Sequence, residues 1–145
     1  MSGWRGFVQN DKERIAKYLD QIASETTDLQ QILSRSDEEI LRDRHIVKAL
    51  KYSTIVIAEA IAGTLQYILA KRHNVVVDGY MEVFKKSKEH QILSDELLDR
   101  LQPFIAFRNM LVHHYWRVDD SVFLQNLRDG REEFRAFIRG ISKQT

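Results

Sequence analysis

The chain has 145 residues, 43% of them hydrophobic and 30% charged, with one proline, six glycines and no cysteine. That length suits a single domain, residues 1–145, around one core, and the lack of cysteine excludes disulfides and thiolate metal sites and fits the cytoplasm. With 22 basic and 21 acidic residues the net charge is +1, which excludes a broad electrostatic footprint for nucleic acid, so any RNA contact has to be local.

In chain order, residues 1–10, MSGWRGFVQN, lack the apolar core and small-residue cleavage site of a secretory signal and are expected to form a short N-terminal arm. Ile15, Tyr18, Leu19, Ile22, Leu29 and Leu33 recur at steps of three and four, predicting an amphipathic helix over about 11–33, capped by Asn10 or Asp11. SDEE at 36–39 reads as a capping box, Ser36 with Glu39, that opens a second helical segment. From about 44 to 72 the pattern Ile46, Leu50, Ile57, Ile61, Leu65, Ile68 persists, and 55–62 is apolar nearly all round, as in a central helix of a bundle. Glu59 and Gln66 interrupt the apolar stretch 55–70, which is shorter than the roughly 20 residues that cross a bilayer, so no membrane span is expected. Gly63 allows close helix contact.

HNVVVDG at 73–79 predicts a loop or short extended piece. A short helix then covers about 80–90. Ser94 and an acidic first turn start a further helix, which Pro103 should kink or break. The last helix runs over about 120–141, capped by Asp119 or Asp120. Four to five helices joined by short loops predict an all-α antiparallel bundle.

The stretch FRNMLVHHYW, 107–116, carries the unusual chemistry. On a helix, Leu97, Leu101, Phe104, Leu111 and Tyr115 share one arc, and Arg108 falls inside it, so its guanidinium either lies in an interface or has a partner. Asn109 and His113 sit four apart on the adjoining flank. Imidazole exchanges protons near neutral pH, and arginine binds phosphate bidentately, so this set suits cleavage of an RNA phosphodiester. One copy makes a thin site, but an isologous homodimer would gather two histidines and two arginines in one cleft. The residues equally allow a structural ion pair at Arg108 and a histidine that complements the helix dipole. Adjacent His113 and His114 point about 100° apart, and no carboxylate triad completes a metal set.

RNMLVHHY resembles the signature of the HEPN superfamily of helical ribonucleases, an arginine followed after four to six residues by histidine. The added tyrosine, Arg108-x4-His113-x-Tyr115, resembles the HepT toxins. FRNMLVHHYWRVDD matches that family's run, IAEA at 57–60 is similar to its IGEA segment, and the helix order fits over nearly the full chain. The resemblance implies a HEPN-like, homodimeric, metal-independent RNase toxin without a cofactor, from a type VII toxin-antitoxin system. Arg108 and His113 of both protomers would form the cleft, with tRNA or message as substrate. The implied partner is a minimal nucleotidyltransferase antitoxin that transfers AMP from ATP to Tyr115. An added negative phosphate there would occupy the phosphate site and exclude RNA.

Tyr115 thus reads as a regulatory switch, or else as a core tyrosine with a wet hydroxyl. Ala58 replaces the family's glycine, a packing change. His114 either donates to a phosphate or faces solvent. Glu59, among Ile55, Val56, Ala62 and Gly63, needs a buried partner, for which Arg108 of the same or the opposite chain would serve. It is read as support for the site, with Asn109 orienting the phosphate or His113. Two other classes stay open: a non-catalytic helical dimer that docks a nucleotidyltransferase as its substrate-binding subunit, and a metal hydrolase.

Overall fold

Capping and periodicity divide the chain much as expected, with differences at the ends. A computed structural model describes residues 9–145, so residues 1–8 of the expected arm lie outside the described residues. Gln9 and Asn10 are already helical: α1 spans Gln9–Leu33. Asp11 is therefore no cap. It is buried inside α1 and accepts a hydrogen bond from the Tyr67 hydroxyl.

Ser36 does cap the short helix α2 (Asp37–Arg42), accepting from the Glu39 N–H at 3.2 Å while its hydroxyl donates to the Glu39 carboxylate. Asp43 ends α2 in an extended conformation and caps α3 (Arg44–His73), accepting from the His45 and Ile46 N–H groups at 3.0 and 3.3 Å. The predicted second segment is thus two helices, because an aspartate at the junction satisfies orphan N–H groups of the second. Asn74, at φ 55°, closes α3, and no strand forms over 74–79. Gly79, at φ 97°, enters α4 (Tyr80–Glu89), a conformation that L side chains rarely adopt. Then come α5 (Asp95–His113), a 3₁₀ turn (Tyr115–Arg117) and α6 (Asp120–Ser142).

The cross-helix contacts define the topology. Glu25 pairs with Ser53 and Asp11 with Tyr67, so α1 and α3 run antiparallel. Glu59 meets Arg108 while Lys51 meets Tyr115, so α5 runs antiparallel to α3. Arg100 pairs with Glu133 and Phe107 packs edge-on against Phe123, which sets α6 antiparallel to α5. Arg128 and Arg135 reach Leu33 and Gln30 of α1, closing a four-helix ring. The short α4 packs on α3 and α5.

One apolar cluster fills this ring, including Ile22, Leu29, Ile57, Ile61, Leu65, Phe123, Phe134 and Phe137. The helix α3 is long and apolar enough, by length and composition, to cross a membrane, but 61% of that window is buried inside the bundle. Two glycines set helix spacing. A Cβ on Gly63 would stand 2.8 Å from the Tyr18 ring of α1, and one on Gly130 only 2.4 Å from Phe104. Phe104 is 2% exposed and edge-on to Phe134, so its ring can shift only by giving up that packing.

Two outcomes follow. Gly130→Ala should lower unfolding free energy by about 1–3 kcal/mol in denaturant titration, since a methyl is forced into filled space. The second concerns pH. Burial, then the nearby His90 and Arg72, push the His73 imidazole below the ordinary histidine range; its Nε2 is buried without a hydrogen-bond partner among the described residues and its ring centroid is 4.5 Å from that of His90. Folded His73 stays neutral where the unfolded chain takes up a proton, so its stability is intact above about pH 6.5 and declines as pH falls below it. Melting temperatures from pH 7 to 5 should drop more for the wild type than for His73→Gln; equal drops would refute this assignment.

Candidate functional site

The geometry is built on α5. Ser94 accepts from the Leu97 N–H at 3.2 Å, and Asp95 and Glu96 lie in the first turn, where carboxylates complement the helix dipole. The helix continues through Pro103 instead of breaking there. Leu97, Leu98, Leu101, Phe104, Ile105 and Leu111 are buried. Arg108 sits at the margin of this apolar face, its side chain 15% exposed.

A guanidinium so enclosed needs partners, and it has them. Its Nη2 and Nε donate to Oε2 of Glu59 on α3 at 2.7 and 3.2 Å, and its Nη1 donates to Asn109 Oδ1 at 3.2 Å. Its Cζ lies 4.7 Å from the centroid of the Tyr80 ring, a cation–π contact from the first residue of α4. Three elements therefore fix one cation. Glu59 is the partner expected, from the same chain, but its side chain is 46% exposed instead of buried. Its helical neighbours Ile55, Val56 and Gly63 are themselves only half-buried, so this side of α3 is a rim.

His113 ends α5, exposed and with no side-chain partner among the described residues. It lies five residues beyond Arg108, about 7.5 Å along the helix axis. His114 leaves the helix at φ −141°, ψ 50°, is exposed, and sets its ring edge-on to Trp116.

Tyr115 does not continue the α5 arc as expected. The six residues 114–119 must reverse the chain into α6, and a tight 3₁₀ turn accomplishes this, with Arg117 N–H bonded to the His114 carbonyl at 2.8 Å. Asp119 then caps α6 by accepting from the Val122 N–H at 3.1 Å. Tyr115 is consequently 45% exposed and not a core residue. Its ring lies 4.4 Å from Nζ of Lys51, whose nearly buried ammonium also pairs with Asp120 at 2.7 Å.

Sequence reasoning had passed over Lys51 and Tyr80. Lys51 did leave a signal, a cation between the core positions Val47, Leu50 and Thr54, and thus the same anomaly that singles out Arg108. Nothing in the sequence distinguishes Tyr80, which reaches Arg108 only because the turn at Gly79 aims α4 across α5. Chemically, the surface offers a cation of set orientation, an amide, a free imidazole and an accessible phenol along one helix end. Such groups bind a phosphate, transfer a proton and accept a modification.

Comparisons with known proteins bear on the fold and the family. The family model described as ribonuclease HepT-like matches residues 15–141. A "tRNA nuclease HepT" of Aphanizomenon flos-aquae is 24% identical over 136 residues, 93% of this chain and 87% of the relative. Among solved structures, a tri-AMPylated HEPN toxin of Shewanella oneidensis, in complex with an MNT antitoxin, superposes with a TM-score of 0.82 at 17% identity, covering 89% of this chain and 96% of that one. A toxin-antitoxin structure with AMP-PNP superposes with a TM-score of 0.79, also at 17% identity, covering 88% and 96%. The helical bundle is thus HEPN-like, and with the family model spanning all but the two ends, the chain belongs to the ribonuclease HepT-like family.

Proposed function

We propose that this protein is a toxin that cleaves RNA without a metal ion, at a site composed by two copies of the chain, and that AMP transfer to Tyr115 silences it. The observation that carries this reading is Arg108, held by Glu59, Asn109 and Tyr80, with His113 five residues on at the end of the same helix and Tyr115 in the turn that follows. Family membership and the nuclease name of the Aphanizomenon relative support it, and that name makes tRNA the first substrate to try.

In the proposed reaction, the ribose 2′-oxygen attacks phosphorus as His113 takes its proton. The bond to the 5′-oxygen breaks, and that oxygen is protonated by the same histidine of a second copy. Arg108 stabilises the charge on the five-coordinate phosphorus, and the products are a 2′,3′-cyclic phosphate and a 5′-hydroxyl. Exposed apolar groups flank the site: Val112 at 44%, one turn from Arg108, Tyr52 at 63%, two turns from Glu59, and Trp116 at 77%. Together they suit a second copy, because patches of this kind mark interaction surfaces. Control comes from a minimal nucleotidyltransferase: the Tyr115 hydroxyl forms an ester with the α-phosphorus of ATP, pyrophosphate leaves, and the phenolic proton goes to solvent. The cytoplasm, where RNA and ATP meet, is the proposed location.

A second reading, a non-catalytic dimer that presents itself to a nucleotidyltransferase, draws on the near-neutral net charge. Cleavage of tRNA by the purified protein in the presence of chelator separates the two. Arg108→Ala and His113→Ala should each reduce cleavage about a hundredfold or more, with melting temperature little changed for His113→Ala because that side chain is exposed; full cleavage by either variant would dismiss the catalytic reading. Glu59→Ala, which releases the guanidinium, should cost about tenfold to a hundredfold in cleavage through misorientation. Incubation with nucleotidyltransferase and Mg-ATP should add mass in AMP units to the wild type and none to Tyr115→Phe.

A further inference from the structure

Lys51 carries a charge that the proposed cleavage does not use. Its side chain is 7% exposed, on the inner side of α3, and it touches two groups: the Asp120 carboxylate, 2.7 Å away, and the face of the Tyr115 ring, 4.4 Å away. Asp120 is 47% exposed, so water can solvate it if the lysine turns elsewhere. Lysine is suited to such an exchange, being a compact cation on a flexible stem with three donors. Arg108, held by Glu59 and Asn109, is the cation of the proposed cleavage, and the cation in contact with the Tyr115 ring is Lys51. The two partners on α3, Lys51 and Glu59, are eight residues apart, about 12 Å along the axis. The site thus holds two separate cationic positions, one beside the RNA-cleaving groups and one beneath the phenol.

We propose that Lys51 is a positioning residue for modification of Tyr115: it holds the phenol at the surface and receives the phosphate that the phenol acquires, exchanging Asp120 for it. This rests on the reading of Tyr115 as the AMP acceptor. The ammonium stands against the ring whose oxygen becomes an ester, so the new negative charge arises beside a cation already stripped of most of its water, where attraction is stronger than in bulk solvent. Held there, the adduct lies over the turn between α5 and α6.

The test compares Lys51→Met, Lys51→Arg and Asp120→Asn with the wild type, each incubated with a minimal nucleotidyltransferase and Mg-ATP and followed by intact mass, with tRNA cleavage and thermal melting in parallel. Lys51→Met should slow AMP addition at least about tenfold. Lys51→Arg, which retains the charge, should recover most of the rate. Asp120→Asn, which frees the lysine, should match or exceed the wild type. A merely structural role predicts instead that Lys51→Met and Asp120→Asn lose melting temperature and modification together, and that result overturns the proposal. So does a Lys51→Met variant modified at the wild-type rate, or one that loses tRNA cleavage alone. If Lys51→Met does not fold, Asp120→Asn decides, because slowed modification there contradicts the exchange. A wild type that cleaves tRNA but gains no AMP sinks the reading of Tyr115 and this inference together, which distinguishes that failure from the others.

Discussion

An arginine at the edge of an apolar helix face has to be neutralised from outside its own helix, and here that requirement joins three elements. Arg108 is too enclosed to be satisfied by water, and the carboxylate that meets it comes from α3, across the groove between the two helices. The pair is not a large source of stability, since one partner is half exposed and such pairs contribute on the order of 0–1 kcal/mol. Its effect is geometric. Two N–H groups on one carboxylate oxygen, a third on Asn109 and the Tyr80 ring beside them leave the guanidinium little freedom. In the proposed cleavage such restraint settles the orientation of Arg108 before the RNA arrives.

The same logic recurs one turn further along. Where α5 ends, the chain reverses through a 3₁₀ turn, and the enclosed cation Lys51 ties that turn to the start of α6 through Tyr115 and Asp120. The two enclosed cations thus share a design: a charge on one helix, an acid on another, and an aromatic ring beside them. They differ in what remains accessible. At Arg108 the free imidazole of His113 lies nearby, whereas at Lys51 the accessible group is a phenol that can be modified.

Much of this was legible in the residues. The caps Ser36, Ser94 and Asp119, the heptad-like spacing of α3 and the inward row of α5 predicted the bundle because each reflects local hydrogen bonding or periodicity. The pairing of Glu59 with Arg108 followed from the cost of enclosing a charge. Asp11 misled because an aspartate near a helix start reads as a cap, whereas this one is claimed by Tyr67, 56 residues away. Tyr115 misled because helical phase was extended past His113, where the chain must turn to reach α6.

By itself, then, the sequence determined most of the helices, their buried faces and the polar set Arg108, Asn109 and His113, since spacing along one helix dictates which side chains are neighbours. Only the tertiary structure decided that Tyr80 would cover the guanidinium, that Lys51 would lie beneath Tyr115, and that Glu59 would stand at a rim and not in the core. Those outcomes depend on how α3, α4 and α5 cross, and crossing geometry is set by packing between elements distant in the chain, for which no local pattern exists.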